Sequence, residues 1–249
     1  MIPGAYLEYL IKFERQDQWS FYDLTGCPSE LIVFLFQLAD LGKQCEIASS
    51  MTWLRFDLTP IKAIEAQLRN WKNAEFATTD VFSETIGEQE GTSDNTIHEE
   101  VVQAQQDRHH CAEAWRYALL LYAERIFKWD RHGPQPNRLK VLARIVFNHV
   151  RCCRRTSQTQ KQLLLPVFLA GSETQDHDLQ GFVTDYCLWW GNKSRYNMFK
   201  SVPDLLKEVW ARTSGQSSSE DERQWWGSVV DGKTSCQVQG QAQTQFLFG

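Results

Sequence analysis

An apolar run with a proline inside it, LLLPVFLAGSE from Leu163 to Glu173, constrains this chain more than any other segment. It is too short to cross a membrane, which takes roughly 20 apolar residues, and too apolar for a surface loop. It therefore belongs in a core. Pro166 either occupies the first turn of a helix or kinks a longer one. The Ala170-Gly171-Ser172 step lets another backbone or a ligand come close where a larger side chain would stand. Glu173, directly after the run, must pair or reach water, because burying a lone carboxylate costs several kcal/mol. An ion pair with an arginine from a neighbouring helix is expected, and a place at the lip of a ligand cavity is the alternative.

Around that run the apolar spacing is helical. The sequence predicts helices over Tyr6–Phe13 and, after a polar connection at Asp17–Thr25 and a break at Gly26-Cys27-Pro28, from Ser29 onward. Ser29 is placed to cap a helix whose Leu31, Ile32, Phe34, Leu35, Leu38 and Leu41 cover most of its surface, so it should be almost wholly buried. Thr59-Pro60 opens the next helix, with Ile61, Ile64, Leu68 and Trp71 inward and Lys62, Glu65, Arg69 and Lys72 facing water. A long helix is expected from His98 to Trp129, stopped by Gly133-Pro134-Gln135-Pro136, and another from Leu139 to Val150. After the central run come a helix through Phe182–Trp190 and one from Arg195 to Trp210. Pro203 should split the latter into a piece ending near Phe199 and a piece starting near Val202.

No segment alternates as a strand does. The expected fold is all-α, an irregular multi-helix bundle with a core rich in tryptophan and phenylalanine and no significant sheet; ten Trp and fourteen Phe are many for 249 residues. The helical domain is expected over 1–212. An acidic, mobile loop at 77–97 carries Asp80, Glu84, Glu88, Glu90 and Asp94 without a basic residue. A polar, mostly flexible tail at 213–249 holds Trp225-Trp226 and Phe246-Leu247-Phe248 as apolar islands able to dock back.

A net charge of −5 argues against a surface that grips nucleic acid all over. Between Asp130 and Glu173, however, eight basic residues stand without an acid: Arg131, Arg138, Lys140, Arg144, Arg151, Arg154, Arg155 and Lys161. A solvated face that also pairs with internal acids is the leading reading, ahead of a site for phosphates or an acidic partner. Seven scattered cysteines without a C-x-x-C pair suit reduced thiols, and no metal site is expected. No nucleophile elbow, phosphate loop or dinucleotide fingerprint is present, and the adjacent His109 and His110 point to different helix faces. No catalytic residue is assigned and an enzyme is not expected. No signal peptide or membrane span is read, so the chain is expected to be intracellular.

Five segments in order resemble one family: LTGCPSELI from Leu24, LTPIKAIEAQLRNW from Leu58, AEAWRYALLLYAERIF from Ala112, LLLPVFLAGSE from Leu163 and SRYNMFKSVPDLLKEVW from Ser194. Together they resemble the fungal-specific regulatory domain that lies C-terminal to the binuclear zinc cluster of six-cysteine transcription factors. The resemblance implies an all-helical domain of a fungal RNA polymerase II transcription regulator in the nucleus. It implies sensing of a small apolar metabolite or sterol, or of a partner, and homodimers or heterodimers with related regulators. The sequence departs from the family by starting inside the regulatory domain. Zinc is therefore expected only in an upstream cluster missing here, no other cofactor is expected, and direct sequence-specific DNA binding by this chain alone is not expected.

Trp115, Phe168, Gly171, Glu173 and Trp189 are the candidate ligand-binding residues. Two other readings are a helical small-molecule-binding protein or enzyme of specialised metabolism, using Glu173 with His149 or Arg116, and an interaction scaffold using the acidic loop and the basic helix.

Overall fold

Buried leucine, valine and alanine at three- and four-residue spacing set the architecture, and α7 from Leu164–Ser172, the central apolar run, lies at its middle. The structure is a computed structural model that describes residues 21–51, 53–73, 94–129, 135–213 and 226–227. The expected helix at Tyr6–Phe13, positions 77–93 of the acidic loop, the Gly133-Pro134 break and the tail apart from Trp226 and Gly227 lie outside the described residues. Before α7 in chain order come α1 (Phe21–Thr25), α2 (Ser29–Ser49), α3 (Thr59–Asn70), α4 (Asp94–Ala123), α5 (Asn137–Cys152) and α6 (Gln158–Lys161). After it come α8 (His177–Lys193) and α9 (Met198–Thr213). The fold is all-α: among the described residues no strand occurs and no helix is long and apolar enough to cross a membrane.

The first departure from the expected pattern is α1, which is helical where a polar connection is predicted. Its Tyr22 is buried, and Gly26 ends it at φ 69° by donating its N–H to the Tyr22 carbonyl at 2.7 Å. Only glycine fits, because a Cβ there would stand 2.6 Å from Cβ of Gln162. Helix α2 begins directly after Pro28 with no side-chain cap, so Ser29 is its first residue rather than its cap. Leu31, Ile32, Leu38 and Ala48 are buried, but Phe34, Leu35 and Leu41 are only half-buried. Apolar residues run all round this helix while the core lies on one side of it, so it is not wholly buried.

Helix α3 places Ile61, Ile64 and Leu68 inward as their spacing predicts. Its start is held by Asp57, whose carboxylate accepts the Thr59 N–H at 2.9 Å, and that bond pulls the Asp57 carboxyl below its usual range. Glu65, expected in water, is buried at 6% exposure because Lys128 from another element reaches it. Helix α4 widens into one π-turn at Glu124–Lys128, closed by the Trp129 N–H donating to the Glu124 carbonyl at 3.1 Å. Cys111, Ala112, Ala114, Ala118 and Ala123 leave α4 narrow enough for α5 to lie along it, the broadest helix pairing in the fold.

Helix α7 touches α4, α5, α8 and α9. Pro166 lies in its first turn, where the missing N–H has no helical acceptor to lose. The Asp176 carboxylate caps α8 by accepting the Asp178 N–H at 3.0 Å. Helix α9 runs unbroken through Pro203, against the predicted split. Its Phe199, Lys200 and Ser201 N–H groups are already held by the Tyr196 and Asn197 carbonyls, and buried Val202, Leu205, Leu206 and Val209 anchor both sides of the proline.

Candidate functional site

The C-terminal end of α7 meets the π-turn of α4 in a cluster of six charged side chains, three from that turn and one each from α3, α5 and the end of α7. Glu173 is 2% exposed and faces Arg125, with Nε to Oε1 at 3.2 Å. Gln135 donates from Nε2 to the Glu173 carboxylate at 2.9 Å and to its backbone carbonyl at 3.1 Å. Arg125 also covers the Trp129 ring, its guanidinium carbon 3.9 Å from the centroid. One turn on, Lys128 donates to both Glu65 oxygens at 2.5 and 2.6 Å and approaches Glu124 at 3.7 Å. Glu124 also faces Arg138 at 3.4 Å.

The widened turn makes this possible, because Glu124, Arg125 and Lys128 project from five consecutive residues toward α3, α5 and the end of α7. Burial pushes the Glu173 carboxyl above its usual range, and the opposing pull of Arg125 and Gln135 does not cancel it. The expected arginine partner is thus present. Glu173 also lines a cavity of about 330 Å3 with Lys140, Arg144 and Asp176.

The other candidate ligand residues are placed apart from that cavity. Phe168 is fully buried and meets the Trp226 ring edge-to-face at 5.5 Å, so Trp226 docks back on the helical domain. Gly171 is the expected close-packing point: a Cβ there would stand 3.1 Å from Leu206 Cδ1 and 3.5 Å from Val183 Cγ2, and the Trp210 indole donates to the Gly171 carbonyl at 2.8 Å. Trp115 is buried in α4. Trp189 is half-buried, donates to the Arg155 carbonyl at 3.0 Å, and carries Lys193 over its ring at 3.8 Å. The structure therefore groups Phe168, Gly171 and Glu173 on α7 and its end, and places Trp115 on α4 and Trp189 on α8. The sequence reading missed Arg125, Gln135, Lys128 and Glu65; the only signal for them was the demand of Glu173 for a cation.

The trio considered for acid–base chemistry is not assembled, because each member is held elsewhere. Arg116 binds Glu113 and the Leu68 carbonyl, while His149 faces His110 with their Nδ1 atoms 3.1 Å apart and stacks on Tyr117. One imidazole must donate and the other accept, so at least one ring stays neutral. Burial, with the neighbouring histidines, holds both below the ordinary histidine range against the pull of Glu113 and, at His110, Asp107.

A depressed folded value means that the unfolded chain takes up protons first as pH falls through about 6.5. The pair's contribution is full above that pH and is lost below it, down to the folded values. Urea unfolding at pH 7.5, 6.5 and 5.5 should show wild-type stability falling with acid and His149→Phe falling less. Coincident pH slopes would contradict the assignment.

Part of the basic run is engaged within the molecule. Arg154 donates to the buried Asp107 carboxylate from its backbone N–H at 2.9 Å and from Nε at 2.8 Å, Arg144 faces Asp176 at 3.3 Å, and Arg151 covers the Phe182 ring at 4.7 Å. Burial pushes the Cys27, Cys111, Cys153 and Cys187 thiols up, Cys111 and Cys153 donate to the Gly26 and Asp107 carbonyls, and no group of three or more metal-ligating side chains converges among the described residues.

A family model described as "Fungal specific transcription factor domain" matches residues 5–236 of the chain. No curated protein and no solved structure matches it.

Proposed function

This chain belongs to the fungal specific transcription factor domain family, and from that membership we propose that it is the regulatory, effector-sensing and dimerisation domain of a fungal RNA polymerase II transcription regulator. It acts in the nucleus and works with a DNA-reading module rather than reading bases through its own helices. The observation that carries this reading is the span of the match, 5–236, which takes in every described element.

The packing supports it. Helix α7 touches four other helices, and the π-turn ties α3, α5 and the end of α7 through charges, so a shift at one element is felt by the rest. An effector acts on such a core by binding one packing of the helices more tightly than another.

Two measurements on the purified chain test this. Sedimentation at rising concentration should show self-association, and a thermal-stability screen against metabolites, lipids and sterols should show at least one ligand that raises the melting midpoint. A monomer at every concentration together with no stabilising ligand would contradict the reading.

A further inference from the structure

A second and larger cavity, about 460 Å3, opens where the end of α8 and the connection to α9 face α6 and the nearby Thr156. Its volume falls within the roughly 300–1,000 Å3 of small-molecule sites. Three cations line it, Lys161, Lys193 and Arg195, and no carboxylate does. By contrast, Arg125 meets Glu173, Lys128 meets Glu65 and Arg154 meets Asp107.

Among the described residues no acidic side chain pairs with the three. Lys193 lies over the Trp189 ring at 3.8 Å and Lys161 over the Tyr196 ring at 5.4 Å, contacts that leave a cation's charge in place. Ser194 also belongs to the lining, and its hydroxyl is buried without a hydrogen-bond partner. Unmet buried polar groups are rare in native proteins. Composition does not account for the cluster, since the chain as a whole carries −5.

Like charges held in a concave site repel one another and focus a positive field into it, which favours whatever anion enters. We propose that this cavity binds a small dianionic molecule bearing a phosphate group or clustered carboxylates. Arg195 supplies a planar fork for its oxygens, Lys161 and Lys193 supply point charges, Ser194 and Gln158 supply neutral hydrogen bonds, and Tyr196 offers a ring face. Such an effector is polar, in contrast to the apolar metabolite implied by the family resemblance. Naming it an effector rests on the regulatory reading above; its binding does not.

The test titrates the full chain with pyrophosphate and, separately, citrate by calorimetry at low ionic strength. At least one probe should bind saturably and weaken as salt rises. Saturation by pyrophosphate alone assigns a phosphate ester, by citrate alone a polycarboxylate, and by both the shared dianion chemistry. Arg195→Ala and Lys161→Ala should each weaken binding roughly tenfold or more, the scale of a charge-assisted hydrogen bond. Ser194→Ala removes a hydroxyl with no partner, so it should keep the melting midpoint and still weaken binding. Lys62→Ala, on the exposed face of α3, should bind as wild type does.

Failure of both probes to saturate overturns the proposal. So does equal binding by Arg195→Ala and wild type, or binding only of an acidic peptide copied from residues 77–97. Saturable binding by a chain that neither self-associates nor regulates transcription would sink the regulatory reading and leave the cavity assignment standing.

Discussion

Replacing Phe168 with alanine is expected to lower the unfolding free energy by about 4 kcal/mol, near the middle of the range for deleting a buried phenyl ring. For a domain of this size that corresponds to a melting midpoint about 8–16 °C lower. Phe168 is fully buried on α7, the helix that touches α4, α5, α8 and α9, so the surrounding helices cannot close the void without moving against one another. The Trp226 ring loses its edge-to-face partner in the same step. A matched control is Leu188→Ala on α8, where the side chain is 57% exposed and the change should stay within about 0.5 kcal/mol. Urea unfolding of the three proteins gives both values. A Phe168→Ala loss below about 1.5 kcal/mol, inside the range of a conservative core swap, would show that α7 is not the centre of the core.

Arg125→Met should cost about 3 kcal/mol at pH 7, or about 6–12 °C, because it strands Glu173 in a site that is 2% exposed. Methionine keeps an apolar stem against Trp129, so packing there is retained while the positive charge, shared between Glu173 and the Trp129 ring face, is removed. The pH dependence identifies the cause. Burial already raises the Glu173 carboxyl, and removal of Arg125 takes away a force that lowers it. A carboxyl whose folded value lies above its unfolded value destabilises the fold as pH rises through that folded value, and is harmless below its unfolded value. The Arg125→Met deficit should therefore be largest at neutral pH and shrink as the solution is acidified toward pH 4.

Adding Glu173→Leu should restore most of the loss at pH 7, since an apolar pair in place of a buried ion pair is often neutral or better. Double-mutant analysis at pH 7 and pH 5 reads both effects. A deficit independent of pH, or a double variant no better than Arg125→Met, would show that the pair does not govern this site.

Much of the fold was legible because local pattern and tertiary demand agree. Ile61, Ile64 and Leu68 on α3, and Leu139, Leu142, Val146 and Val150 on α5, repeat at helical spacing and are buried. Glu173 announced its own need for a cation, although only the fold could name Arg125 and Gln135. The misses occur where a distant group decides the outcome. Glu65 turns inward because Lys128, across the core, satisfies it, and Asp57, outside the Thr59-Pro60 signal, holds the start of α3. Pro203 is tolerated because the turn before it is already bonded and the residues around it are buried. The basic cavity had no sequence signature, since Lys161, Lys193 and Arg195 come from two stretches of chain about 30 residues apart and converge only in space.

The regulatory role is tested most directly by tethering. The full chain is fused to an unrelated DNA-reading domain in a fungal host and the output of a reporter bearing that domain's site is measured, with Phe168→Ala and Arg195→Ala fusions at matched protein levels. The expected result is reporter output clearly above or below that of the DNA-reading domain alone, abolished by Phe168→Ala and altered by Arg195→Ala. Output equal to the DNA-reading domain alone, from a fusion present at a comparable level, would contradict the assignment of this chain as a regulatory domain.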